Sequence, residues 1–106
     1  MEKSVNEEKP KDEDAVLRAL SIQRKEFGEY FEKLEEKYGD IHCPMCKQTL
    51  WGVPPRFDSS DHAALVTLPL PNSSGRGVWA YPVVCVECGH ISTFAAHHVS
   101  KVIRGG

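Results

Sequence analysis

The chain contains no run of about 18 apolar residues, so no segment has the pattern of a membrane-spanning helix. Its first eight residues, from Met1 to Glu8, lack the apolar stretch of a secretory signal, and the compartment expected from this is the cytoplasm. An excess of one charge is missing too: 13 Lys and Arg stand against 15 Asp and Glu, for a formal net charge of −2. Residues 1–40 hold twelve acidic and eight basic side chains, and residues 41–106 hold three and five. Neither half has the clustered Lys and Arg that supply most nucleic-acid affinity. A nucleophile elbow, a Walker loop and an open metal triad are all lacking, so no catalytic residues are expected and an enzyme is not.

What the chain does have is four cysteines in two pairs. At 106 residues it is one domain's worth of material, and the span between the outermost cysteines is much smaller. Segments of roughly 40 to 60 residues bury too little apolar surface to fold securely, so they recruit disulfides, a metal or a partner. A reducing compartment disfavours disulfides and favours metal ligation by paired thiols.

The pairs are Cys43-Pro44-Met45-Cys46 and Cys85-Val86-Glu87-Cys88, with 38 residues between them. Two residues between cysteines let a tight turn aim both sulfurs at one ion, and two such turns complete a tetrahedron. A filled shell of four sulfurs suits one structural Zn²⁺ and leaves no position for water or substrate. Rubredoxin-type iron uses the same ligand set and stays open at this point. A redox Cys-x-x-Cys needs only one pair, normally at a helix N-terminus, whereas both pairs here lie among predicted strands. Gly89 suits a positive φ just past the second turn. Lys47 holds the equivalent place in the first, and must adopt that conformation at some strain or turn differently. His42 and His90 flank the ligands, but the sulfurs already saturate the site.

Around these pairs the predicted fold class is α+β: an N-terminal amphipathic helix followed by a small antiparallel zinc ribbon. Residues 1–11 are read as a disordered charged tail, 12–39 as the helix and 40–106 as the ribbon domain. Leu17, Leu20, Phe27, Phe31, Leu34 and Tyr38 form a heptad-like seam, with Arg24 at the missing position. Asp12 or Asp14 is placed to cap its start, and Gly39 to stop it. Strands are expected over Gln48–Val53, Ala63–Leu70, Val78–Val86 and Ile91–Val102, with a turn or loop from Asn72 to Gly77. His97 and His98 then fall on opposite faces of a strand, and His62 in a solvated loop.

Cys43-Pro-Met-Cys46, Trp51-Gly-Val53, Leu68-Pro-Leu70, Tyr81-Pro-Val-Val-Cys85, Cys88-Gly-His90 and Phe94-Ala-Ala96 together resemble a group of small bacterial zinc-ribbon proteins. These are often phage-associated and of largely unassigned function. The resemblance covers roughly residues 41–103 and implies the four-cysteine zinc site and a strand-rich ribbon. It implies no catalytic residues, and the helix lies outside it. Where the group often has Asn in the phenylalanine segment and Gly near the end, this chain has Ala95, Ala96, His97 and His98.

Function is therefore expected at the level of a protein-interaction module, with a ribbon platform and a helix for self-association or partner docking. The candidate partner-binding residues are Trp51, Trp79 and Tyr81 on one sheet face, and Phe27 and Phe31 on the helix, since aromatic side chains concentrate binding energy. Alternatively these aromatics are the ribbon's own core, and the helix lies on its own sheet. The alternative function is nucleic-acid or transcription-machinery binding, through aromatics beside Arg56, Arg76, Lys101 and Arg104.

Overall fold

A computed structural model describes residues 14–72 and 77–105. The expected tail 1–11, the Asp12 cap and Ser73 to Arg76 of the loop lie outside the described residues. In chain order the elements are α1 (14–21), α2 (Arg24–Tyr38), β1 (Trp51–Gly52), β2 (Pro55–Arg56), β3 (Ser59–Ala63), β4 (Val66–Pro69), β5 (Gly77–Cys85), β6 (Ile91–Ala95) and α3 (Ala96–Arg104).

The chain is α+β with small antiparallel sheets. The nine-residue β5 organises the larger sheet, pairing with β4 and β1 along one edge and with β6 along the other. Ala80 pairs with Val66, and Val84 with Gly52. Pro82 thus stands where that edge passes from β4 to β1, a place where a missing backbone N–H disturbs the ladder least. A separate hairpin joins β2 and β3.

The single helix expected over 12–39 is instead two helices among the described residues, broken at Ile22 and Gln23. Gln23 is extended (φ −87°, ψ 156°) and bridges to His62, and its N–H donates to Glu26 Oε1 at 2.9 Å. The break is held by donors from across the molecule. Helix ends leave carbonyls without intrahelical partners, and five consecutive ones here are all met. The Arg18 carbonyl accepts from Ser21 Oγ at 2.7 Å, Ala19 from the Tyr81 hydroxyl at 2.7 Å, and Leu20 from Arg56 Nη1 at 3.0 Å. Ser21 accepts from Arg104 Nη2 at 2.9 Å and Ile22 from the Ala63 N–H at 3.1 Å. Tertiary hydrogen bonds of this kind outweigh a helical seam, which favours continuity by only tenths of a kcal/mol per residue.

The core lies between the helices and one face of the sheet. Phe27 is fully buried, with its ring centroid 5.2 Å from Tyr81 and 5.8 Å from Phe94. Phe31 packs against Trp51 and Phe94, and Ala19, Ile22, Ala63, Val83, Ala96 and Val99 complete the cluster.

Residues 96–104, expected as the end of a strand, form α3. Ala96, Val99 and Ile103 lie at helical spacing and face the core, and Gly105 (φ 75°) ends the helix. The β-branched Val99, Val102 and Ile103 favour a strand locally, but burial of one helical stripe decides. His97 and His98 are therefore exposed on a helix. His62 lies half-buried on β3 rather than in a solvated loop, with Nδ1 2.7 Å from Ser59 Oγ.

Candidate metal centre

The two cysteine turns have the same backbone plan. In the first, the Cys43 N–H donates to the Gln48 carbonyl at 2.8 Å and the Lys47 N–H to the Cys43 carbonyl at 2.9 Å. In the second, the Cys85 N–H donates to the His90 carbonyl at 2.8 Å and the Gly89 N–H to the Cys85 carbonyl at 2.9 Å. Residues at the same step carry the positive φ: Lys47 at 70° and Gly89 at 83°. Lys47 therefore adopts the left-handed conformation that glycine takes freely. The Val86 N–H donates to the Leu50 carbonyl at 3.1 Å and ties the two turns together. Gln48 and His90 matter here through their carbonyls, a role that no side-chain pattern in the sequence announces.

These turns bring all four Sγ atoms within 4.8 Å of one another. Cys43 Sγ lies 3.6 Å from Cys88 Sγ, and Cys46 Sγ 3.5 Å from Cys85 Sγ. Disulfide sulfurs would be about 2.05 Å apart, so neither pair is bonded, and all four cysteines are free. Four sulfurs at about 2.3 Å from a central ion stand about 3.8 Å from each other at the corners of a tetrahedron. The cluster fits a metal ion on that test. Cys43 and Cys85 are buried, Cys46 is half-buried and Cys88 exposed. No histidine joins the group among the described residues.

The electrostatics point the same way. Burial opposes ionisation of Cys43, but the amides of Cys46 and Met45 and the thiols of Cys88 and Cys85 outweigh it and bring its pKa down to about 6. At Cys46 the Gln48 amide favours the thiolate, yet burial and the sulfurs of Cys85, Cys88 and Cys43 push the pKa up to about 12. Cys88 is also raised: the His90 amide is outweighed by burial and by the Cys43 and Cys85 sulfurs. One thiolate thus opposes the next, and a central cation is what allows all four to ionise together.

The other candidate residues are placed differently. Trp51, Trp79 and Tyr81 do share one sheet face, because Trp51 stands opposite Cys85 and β5 alternates through residues 79, 81 and 85. That face is the packed one. Tyr81 is fully buried, and Trp51 is half-buried with its Nε1 donating to the Ile41 carbonyl at 2.8 Å. Trp79 sits at the margin, 37% exposed. Phe27 and Phe31 are core residues, so this part of the seam covers the chain's own sheet, while Leu17 and Tyr38 at its ends are exposed.

Comparisons with protein-family models, curated proteins and solved structures found no match to this chain.

Proposed function

We propose that the chain is a small non-catalytic protein-interaction module whose ribbon is fixed by one structural Zn²⁺ on Cys43, Cys46, Cys85 and Cys88. One observation carries this reading: the protein itself supplies four sulfurs within 4.8 Å of one another, close enough to share one ion. Catalytic zinc sites keep one position open for water or substrate, and a site filled by four thiolates does not.

Partner binding is favoured over nucleic-acid binding by the state of two of the four basic side chains named for the latter, Lys101 being exposed and Arg76 lying outside the described residues. Arg56 engages Asp58 and the Leu20 carbonyl, and Arg104 engages Glu26 and Ser21. Charges spent inside the fold add little to a phosphate-binding surface. Native mass spectrometry of the isolated chain tests the metal. One zinc per chain is the expected result, and a folded chain carrying iron or no ion would overturn it.

A further inference from the structure

A groove of about 280 Å³ lies between α2 and β1. Phe31, Trp51 and Val83 give it an apolar lining, and Glu32 and Glu35 of α2 line it with them. Gly28 lines it too. Only proline is less favourable than glycine inside a helix, and no packing need accounts for Gly28, since an added Cβ would meet nothing within 4 Å. What the missing side chain leaves open is the groove.

The strand side of the groove is a free edge. β1 ends the sheet and pairs only with β5. The Val86 N–H donates to the Leu50 carbonyl, so Trp51, opposite Cys85, turns its own N–H and C=O away from β5. They turn toward α2: the Val53 carbonyl, two residues on and facing the same way, accepts from Arg24 Nε at 2.8 Å. Among the described residues no hydrogen bond reaches the Trp51 N–H or carbonyl.

The charge of the groove is one-sided. No basic residue lines it, and Arg24, one turn before Gly28, is engaged by Val53. Neither Glu32 nor Glu35 has a Lys or Arg three or four positions away on α2, and neither is in an ion pair among the described residues. They are instead neighbours of like charge at i,i+3, an unfavourable arrangement that a cation relieves. We propose that this groove takes an extended segment of a partner protein bearing Lys or Arg, added as a strand to the free edge of β1, with its cationic side chain over Trp51 and Phe31 and its charge at Glu32 and Glu35. The proposal rests on the reading of the protein as an interaction module and names the surface and the chemistry used. Main-chain pairing at an open edge gives affinity, and the side-chain positions give specificity. An aliphatic stem packs on aromatic rings while its cation reaches the carboxylates.

Amide NMR spectra of the isotope-labelled, zinc-loaded chain test this with the peptide acetyl-Thr-Val-Lys-Val-Thr-amide, and with the same peptide carrying Glu in place of Lys. The lysine peptide is expected to shift the Trp51 and Gly28 amides with a dissociation constant of about 0.1 to 1 mM, as suits so few contacts, and the glutamate peptide to shift neither. Gly28→Leu fills the groove with a better helix former, so it is expected to keep the fold and the zinc and to lose the Trp51 shift. Glu32→Gln with Glu35→Gln is expected to weaken binding about three- to tenfold. Glu29→Gln, beside Val102 at a different groove, is expected to leave it unchanged. An unmoved Trp51 amide at about 5 mM lysine peptide overturns the proposal, as does equal binding of the glutamate peptide or binding that survives Gly28→Leu. Shifts reproduced by butylammonium alone overturn it in favour of a small-cation pocket. Shifts that appear without peptide when Lys3, Lys9 and Lys11 are changed to Glu overturn it in favour of the chain's own N-terminus as occupant. Peptide shifts that map only to other surfaces refute the groove and leave the interaction reading standing, and a zinc-free chain that shows the expected shifts refutes the metal alone.

Discussion

The Tyr81 hydroxyl donates to the carbonyl of Ala19 at 2.7 Å, from the middle of β5 to the end of α1, 62 positions earlier in the chain. Burial pushes this phenol's pKa up, so it remains a donor throughout the range in which the protein is studied. In Tyr81→Phe the ring stays and the Ala19 carbonyl loses its partner. A loss of about 1 to 2 kcal/mol is expected, read as a lower urea midpoint at unchanged slope.

The paired cysteine turns predict opposite outcomes at equivalent positions. Lys47 bears a left-handed conformation that costs a side-chain-bearing residue about 1 to 2 kcal/mol, partly offset in glycine by the entropy of its freer unfolded chain. Lys47→Gly is therefore expected to stabilise the zinc-loaded protein by up to about 1 kcal/mol. Gly89→Ala should destabilise it by about 1 to 2 kcal/mol through backbone strain alone, because nothing lies within 4 Å of the added Cβ. Thermal unfolding of the two variants beside wild type checks both signs.

Removing the ion should remove the ribbon. Structural zinc contributes on the order of 10 kcal/mol in small peptides, which is comparable with the whole stability of an ordinary domain. Chelation, or Cys43→Ser with Cys85→Ser, is expected to abolish the near-ultraviolet circular dichroism of the packed Trp51 and Tyr81. Retention of that signal in a verified metal-free sample would contradict the structural role.

Acid should weaken the clasp between the last helix and α2. The Arg104 guanidinium, hydrogen-bonded to Glu26, holds that carboxyl below its ordinary 4.5, against the opposing effect of burial. A carboxyl depressed in the folded state adds stability above its unfolded pKa, and this is lost as pH falls through the lower folded value. The stability advantage of wild type over Glu26→Gln should therefore be level near neutrality and shrink below about pH 4.5. Both side chains are partly exposed, so the effect is small. Paired denaturation curves across the acid range read it directly.

The clustering of the four cysteines was legible in the sequence because its chemistry is local: a Cys-x-x-Cys turn aims two sulfurs whatever surrounds it, and two such turns bring their sulfurs together. The strand through Val78 to Cys85 was legible from its β-branched and aromatic residues. The elbow at Ile22 and Gln23 was not, because four of its five donors come from Ala63, Arg56, Tyr81 and Arg104, far along the chain. Its one local signal is Glu26 three residues after Gln23, the spacing of a capping box with Gln in place of Ser or Thr. For α3, strand propensity and helical periodicity compete within nine residues, and only the sheet beneath it decides between them. The direction of the aromatic face had the same difficulty: alternation shows which residues share a side, and not which side the helices will cover.

β5 pairs with β1, β4 and β6, gives Tyr81 and Val83 to the core, and ends on Cys85 of the four-cysteine cluster. A single strand thus links the larger sheet, the core and the four-cysteine cluster. Damage at the thiolate end has no internal boundary at which to halt, so melting should proceed all or none. Signals from a cobalt-substituted centre, from tryptophan fluorescence and from helical ellipticity should superimpose on one transition curve.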